Sequence, residues 1–324
     1  LRNQGVVVRG QLRYVRPQLL FGIFDLSTSL RASRDVELNY NVRTFGGDVT
    51  LTHRPTEWFR YDFGYVLELV REDSTVRDYQ DAYRIGYLKA SAQADFRDDI
   101  LQPSKGAFIG LEARLGEPGI GEFFFTSVTP DVRGYIPMGD RVTLGLRAMA
   151  GWIFDFTADD QIPQDYRLYG GGATDFRGVP YRRLSPYSYT VRNDDIEIVG
   201  NPFFPTEEAC QERLDEIGIT EDFNCEAEPT GGFFKALFSV EPRFEIGKDW
   251  LYGAVFADFG TVQRDVNPDF AFGGNTFHVA VGGGLRLATP VGPIRADVGY
   301  RITDSPNFGD IRDVTFYIAV GEAF

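Results

Sequence analysis

The sequence predicts an all-β protein, a transmembrane antiparallel β-barrel interrupted by one long connection. Three observations predict the barrel. Apolar and charged residues alternate with period two along most of the chain. Aromatic residues make up 15%, with 28 Phe and 36 Gly, yet the mean hydropathy is only -0.22. No segment approaches the ~18 consecutive apolar residues of a spanning helix. A barrel reconciles all three, because alternate residues of each strand face lipid and a wet lumen.

In the first half the alternation recurs around Phe59–Leu67, Leu88–Arg97, Ala107–Leu115 and Phe123–Arg133. From Arg141 to Trp152 the even positions are Val142, Leu144, Leu146, Ala148, Ala150 and Trp152; the odd ones include Arg141, Thr143, Arg147 and Met149. After residue 234 the pattern resumes. Ala236, Phe238, Val240, Phe244 and Ile246 oppose Lys235, Ser239, Glu241, Arg243 and Glu245. Leu251, Gly253, Val255, Ala257 and Phe259 put Asp258 on the inward face, and Phe277–Leu287 alternates likewise. In the last third Ile294, Ala296, Val298, Tyr300 and Ile302 alternate with Arg295, Asp297, Gly299 and Arg301. Turns are signalled at Arg16-Pro17, Arg54-Pro55, Pro103–Gly106, Pro137–Asp140, Gly247–Asp249 and Pro290–Pro293. These are short, as on one side of a membrane barrel, while connections such as Glu72–Asp81 are longer and more polar, as on the other. The pattern yields about fourteen strands. Nothing resembles a linker, so residues 1–324 read as one domain. A soluble β-sandwich also alternates, but does not place Arg, Asp and Glu so regularly on one face of so many strands.

A long insertion between about residues 170 and 232 breaks the rhythm. Its segment Glu207–Glu228 holds nine acidic residues and one Arg. Thr206 is placed to cap a short helix running to about Ile217, with Gly218 ending it. Cys210 and Cys225 are too few for a four-ligand zinc site. A disulfide suits them better, implying an oxidising compartment and a contribution of roughly 3 kcal/mol from loop closure; a reduced, buried pair is the other reading. The acidity reads as solubilising charge rather than as a cation bridge to lipopolysaccharide.

Several function classes fall away. A net charge of -14 argues against nucleic acid as a partner. There is no Gly-x-Ser-x-Gly elbow, no His-Glu-x-x-His and no P-loop, and His53 and His278 have no evident nucleophile beside them. The inward carboxylates Asp95, Glu112 and Asp297 have Arg or Lys neighbours and read as lumen charge networks. No enzyme, metal or cofactor is expected.

The insertion opens Gly171-Gly172-Ala173-Thr174-Asp175-Phe176-Arg177-Gly178-Val179-Pro180. This resembles the Gly-Gly…Val-Arg-Gly-aromatic motif of the sixth extracellular loop in the BamA/TamA superfamily of outer-membrane assembly factors. Phe176 and Val179 stand where the family has Val and an aromatic. Phe238–Phe244 and Val255–Val262 are similar to the family strands whose acidic residues receive the loop arginine, here Glu241 and Asp258, which implies a long loop folded into the lumen. Gly283–Arg286 and Thr289–Ile294 follow in the family's order. The ending Phe316–Phe324 is similar to a C-terminal β-signal, carried by Phe316, Ile318, Val320, Gly321 and Phe324. The resemblance is closest to the BamA barrel domain, whose sixth loop carries a similar cysteine pair.

The resemblance implies an outer-membrane protein that folds and inserts other barrels through a lateral seam between its first and last strands. Alternatives within the superfamily are a TamA-like factor handling autotransporters and a two-partner-secretion translocation pore. The implied partners are unfolded outer-membrane proteins, the lipid bilayer with lipopolysaccharide, and periplasmic or lipoprotein accessory subunits. The family's barrels have sixteen strands, so this chain is expected to begin near the family's third. Leu1–Gly5 carry no signal-peptide pattern, and the N-terminal periplasmic repeats that the resemblance implies are expected to lie outside this chain.

Overall fold

In a computed structural model of the chain, the period-two segments become hydrogen-bonded strands. The structure describes residues 8–36, 40–74, 80–157, 162–192, 204, 207–216, 224–247, 250–267, 277–290, 292–303, 313–321 and 323. The first half forms β1 (Val8–Gln18), a single helical turn α1 (Leu19–Ile23), β2 (Phe24–Val36), β3 (Tyr40–His53), β4 (Phe59–Ser74) and β5 (Gln80–Asp95). These are followed by β6 (Gly106–Gly116), β7 (Phe125–Pro137) and β8 (Val142–Asp155). The long connection then carries β9 (Tyr187–Arg192), α2 (Glu207–Glu216) and β10 (Asn224–Pro229). The remaining strands are β11 (Phe234–Gly247), β12 (Leu251–Gln263), β13 (His278–Leu287), β14 (Ile294–Arg301) and β15 (Val314–Val320).

Thirteen strands make one antiparallel sheet in the order β1 to β8 and then β11 to β15, while β9 and β10 form a separate hairpin. Chain neighbours pair along the sheet, and β8 pairs with β11 across the long connection, with Gly145 opposite Glu241. Burial is inverted relative to a water-soluble sheet. In β14, Ile294, Ala296, Val298 and Tyr300 are exposed, whereas Arg295, Asp297, Gly299 and Arg301 are buried. Arg177, Arg286 and Arg295 are among the largest fully buried side chains, while Ile318 is 86% exposed. Such a surface is stable only against hydrocarbon, and backbone groups at that depth must be satisfied within the sheet. Trp58 stacks on Phe96 at the end bearing the short turns, where an aromatic girdle is expected.

Several boundaries differ from the sequence reading. Pro17 lies inside β1, and the reversal is made by α1, with Gln18 left-handed at φ 55. Proline is tolerated there because β1 begins the sheet order, where a missing N–H need not break a ladder. The polar stretch Glu72–Asp81 is partly strand: Glu72 pairs with Asp81 and Asp73 with Gln80. Polar side chains do not end a strand while its backbone remains paired. The long connection runs from residue 156 to 233 between β8 and β11, so it starts earlier than expected. Its Ile162 and Leu168, with Tyr166, pack against Val66, Ile85 and Ile153 of the inner wall. The β9–β10 hairpin was not anticipated. The helix lies where expected, although its proposed caps Thr206 and Gly218 fall outside the described residues.

Candidate functional site

Residues 171–180 hold the long connection against the later strands of the wall. Gly171 and Gly172 have φ of 101° and 103°, a left-handed backbone that other residues rarely adopt. They start a compact turn closed by the Gly172 N–H donating to the Val179 carbonyl at 2.9 Å. Phe176 and Val179 are fully buried and pack with Leu184 and Tyr187 against Leu237, Val262 and Ala280 of the wall. Gly178 has an ordinary backbone angle, so its role is not the tight turn that its position suggests. A Cβ there would lie 2.3 Å from the Ala280 Cβ; the glycine lets the segment touch β13.

Arg177 is 1% exposed and bonds to three strands. Its Nε and Nη2 donate to the two Asp258 carboxylate oxygens of β12 at 2.8 and 2.7 Å, a forked pair. Its own backbone N–H donates to Asp258 at 3.0 Å. Nη1 donates to Glu241 of β11, and Nη2 also bonds the Ser239 hydroxyl at 3.0 Å. The guanidinium carbon sits 3.5 Å from the centroid of the Phe256 ring, adding a cation–π contact. On the opposite side, the Arg177 carbonyl accepts a hydrogen bond from the Thr315 hydroxyl of β15 at 2.5 Å. Tyr317, also on β15, donates to the Val179 carbonyl at 2.7 Å.

A wider charge network surrounds this contact. Glu241 also accepts from Arg243 at 2.9 Å and Arg286 at 3.2 Å. Asp297 bonds both Arg286 and Arg295, at 2.5 and 2.8 Å. Arg147 of β8 holds the Thr174 carbonyl at 2.7 Å, and Lys235 of β11 pairs with Asp175 at 2.7 Å. The segment is therefore fixed to β8, β11, β12 and β15 by hydrogen bonds, and to β13 by packing. Strand parity places Ser239 two residues before Glu241 and Phe256 two before Asp258. Both were legible as inward-facing, though not as ligands of Arg177. Thr315 and Tyr317 carried no signal beyond parity.

At the chain's end, Phe316, Ile318 and Val320 point outward and are 75, 86 and 70% exposed, against 42% for Val298 in β14. Gly321 follows β15 with φ 98 and donates its N–H to the Pro293 carbonyl at 2.7 Å, bending the chain out of the strand direction. Phe324 lies outside the described residues. Among the described residues no group of three or more His, Cys, Asp or Glu is placed to hold a metal ion.

Cys210 and Cys225 form a disulfide that ties α2 to β10. Cys210 and Leu214 of the helix pack against Tyr189 of the hairpin. The bond closes a loop with a sequence separation of 15. Replacing both cysteines by Ser is expected to destabilise the hairpin by about 3 kcal/mol, leaving the barrel intact. Amide exchange over Tyr187–Arg192 and Asn224–Pro229 reports this; unchanged protection would show that packing alone holds the hairpin.

Fold and site together define a transmembrane β-barrel whose wall is bonded from within by residues 171–180 of its long connection. The chain belongs to the Omp85 superfamily, whose domain model matches residues 3–324. Proteins with this barrel reside in the outer membrane and are mostly assembly or transport factors rather than enzymes. The structure is similar to BamA from Haemophilus ducreyi lacking POTRA domains 1–3, with a TM-score of 0.76 and 16% identity over 96% of this chain. It is also similar to CdiB from Acinetobacter baumannii, with a TM-score of 0.55 and 12% identity over 98% of this chain. The chain spans 61% and 50% of those two proteins' lengths.

Proposed function

We propose that this chain is the barrel of an assembly factor that folds and inserts other β-barrel proteins through a seam between β1 and β15. The observation that supports this reading best is the bonding of the inner segment to the last strand, through Thr315 and Tyr317. One rigid segment, anchored on β11 and β12 by Arg177, thereby sets the position of β15. A strand edge is a template for an incoming strand, and one in lipid is costly until it is paired. An inner brace that positions the last strand, beside a glycine bend at Gly321, is a means of presenting that edge to a substrate. Its substrates are unfolded outer-membrane proteins, with periplasmic or lipoprotein subunits as accessory partners.

The test uses the full-length protein in liposomes with a urea-unfolded small barrel as substrate, followed by heat-modifiable gel mobility. Wild type is expected to fold the substrate about tenfold faster than empty liposomes do. The double variant Thr315→Val, Tyr317→Phe keeps the wall but releases β15 from the brace, and is expected to lose most of the acceleration. No acceleration by folded wild type would reject the insertase reading in favour of a transport pore. Full acceleration by the double variant would remove the brace from the mechanism.

A further inference from the structure

The connection meets the wall at a second place, on the early strands. A single 3-10 turn at Gln164–Tyr166 brings the Tyr166 hydroxyl to Glu68 of β4, to which it donates at 2.7 Å. The other oxygen of Glu68 lies 3.1 Å from Nε of Arg31 on β2, and Glu68 itself is buried. β2 and β4 are not neighbours. β3 lies between them, and pairing register sets Arg31, Gly46 and Glu68 side by side in one row. A Cβ at Gly46 would lie 2.6 Å from the Leu67 carbonyl oxygen and 2.7 Å from Cγ of Glu68. The Glu68 side chain therefore crosses the bare glycine to reach Arg31. Close approach, not backbone conformation, is what this glycine serves.

The Tyr166 turn is also joined to the segment that carries Arg177. Asp165 pairs with Arg182 at 3.1 Å, and the Arg182 guanidinium lies 4.0 Å from the centroid of the Tyr169 ring. Arg182 is left-handed at φ 59, a conformation that a non-glycine residue keeps only where its surroundings fix it. Gly170 and Leu184 exchange backbone hydrogen bonds at 2.8 and 3.0 Å, closing the turn between them. A chain of contacts thus runs from Arg31 through Glu68, Tyr166 and the connection to Thr315 and Tyr317. It begins on β2, which carries β1 with Gln11 opposite Arg31, and it ends on β15. Around the wall these two ends are separated by ten strands, β3 to β8 and β11 to β14. Small changes of twist at each strand pair accumulate over that route. A direct link through the lumen does not accumulate them.

We infer that Glu68 and Tyr166, with Gly46 making room, are positioning residues that set the gap between the first and last strands of the sheet. They hold β2, and with it β1, at a fixed reach from the brace that holds β15. That the gap admits a substrate strand rests on the function proposed above; that this pair sets the gap does not.

The gap is measured by double electron–electron resonance on the full-length protein in liposomes, without substrate. Spin labels are placed by Leu30→Cys and Val298→Cys, exposed lipid-facing positions one strand in from each edge. The native cysteines are joined in the disulfide and take no label. Glu68→Ala cuts both links at once and is expected to add a second population of distances, longer by about 5 Å, one strand spacing. Glu112→Ala removes an inward carboxylate held by Lys89 and Arg114 of the wall, and is expected to leave the distance unchanged. The double variant Thr315→Val, Tyr317→Phe frees the other end of the same link, so combining it with Glu68→Ala is expected to give no further shift. If Glu68→Ala fails to fold by heat-modifiable mobility, Tyr166→Phe decides in its place. An unchanged distance in the folded variant, or shifts that add in the combined one, overturns the inference. A shifted distance in a protein that does not accelerate substrate folding upholds the positioning pair and rejects the insertase reading instead.

Discussion

Arg177→Ala is expected to destabilise the packing of the inner connection by about 3–5 kcal/mol, the range for removing one partner of a buried ion pair. The loss falls unevenly on its two carboxylates. Glu241 keeps Arg243 and Arg286 at 2.9 and 3.2 Å. Among the described residues Asp258 keeps only the Ser239 hydroxyl at 2.6 Å and the residue-177 backbone N–H at 3.0 Å, while buried to 1% exposure. Asp258 is thus the orphan, and its uncompensated charge drives the segment off the wall. Arg177→Lys is expected to recover little, because an ammonium cannot fork across both Asp258 oxygens while reaching Glu241. Arg177→Met combined with Asp258→Asn is expected to recover much of the loss by removing both charges. Limited trypsinolysis at Arg182 and Arg183 measures the release, with the barrel's gel mobility as a check that the wall is intact. If Arg177→Ala leaves the connection as resistant as wild type, the anchor assigned to Arg177 is wrong.

Gly299→Ala tests the same docking by shape instead of charge, and a comparably large effect is expected. A Cβ on Gly299 would lie 2.1 Å from the Arg177 carbonyl oxygen and 3.2 Å from the Thr315 hydroxyl. The obstructing atom is backbone, and that backbone is held by Asp258, so no side chain can swing aside. Overpacking of this kind costs about 1–3 kcal/mol where the structure can yield, and more where it cannot. The segment is expected to lift from β14 and β15 together, breaking the Thr315 and Tyr317 bonds and abolishing substrate folding. Gly134→Ala, where a Cβ meets nothing within 4 Å, is the matched control. Protease resistance and folding activity of Gly299→Ala equal to the control would mean that the segment does not sit against β14 as described.

The period-two pattern was enough to establish the wall. Side-chain parity is a property of the strand itself, so Arg295, Asp297, Glu241 and Asp258 were assignable to the lumen from their neighbours in sequence. The arginine of the inner segment was legible through the Gly-Gly…Arg-Gly resemblance, and its two carboxylates through that resemblance together with parity. The boundaries of Glu72–Asp81 and the β9–β10 hairpin were not legible, because their strands lack alternation: backbone pairing and the disulfide hold them, not a hydrophobic face. The need for glycine at 178 was not legible, since it arises from Ala280, about a hundred residues on, and not from local backbone.

The sequence by itself determined which residues face lipid and which face inward, because that depends on a two-residue repeat along one strand. Only the tertiary structure decided the register that aligns Arg31, Gly46 and Glu68, and the contacts of Thr315 and Tyr317 with the inner segment. Those depend on which residues of distant strands lie side by side. That is set by the summed pairing of the whole sheet and the packing of the connection within it, and no local pattern encodes it.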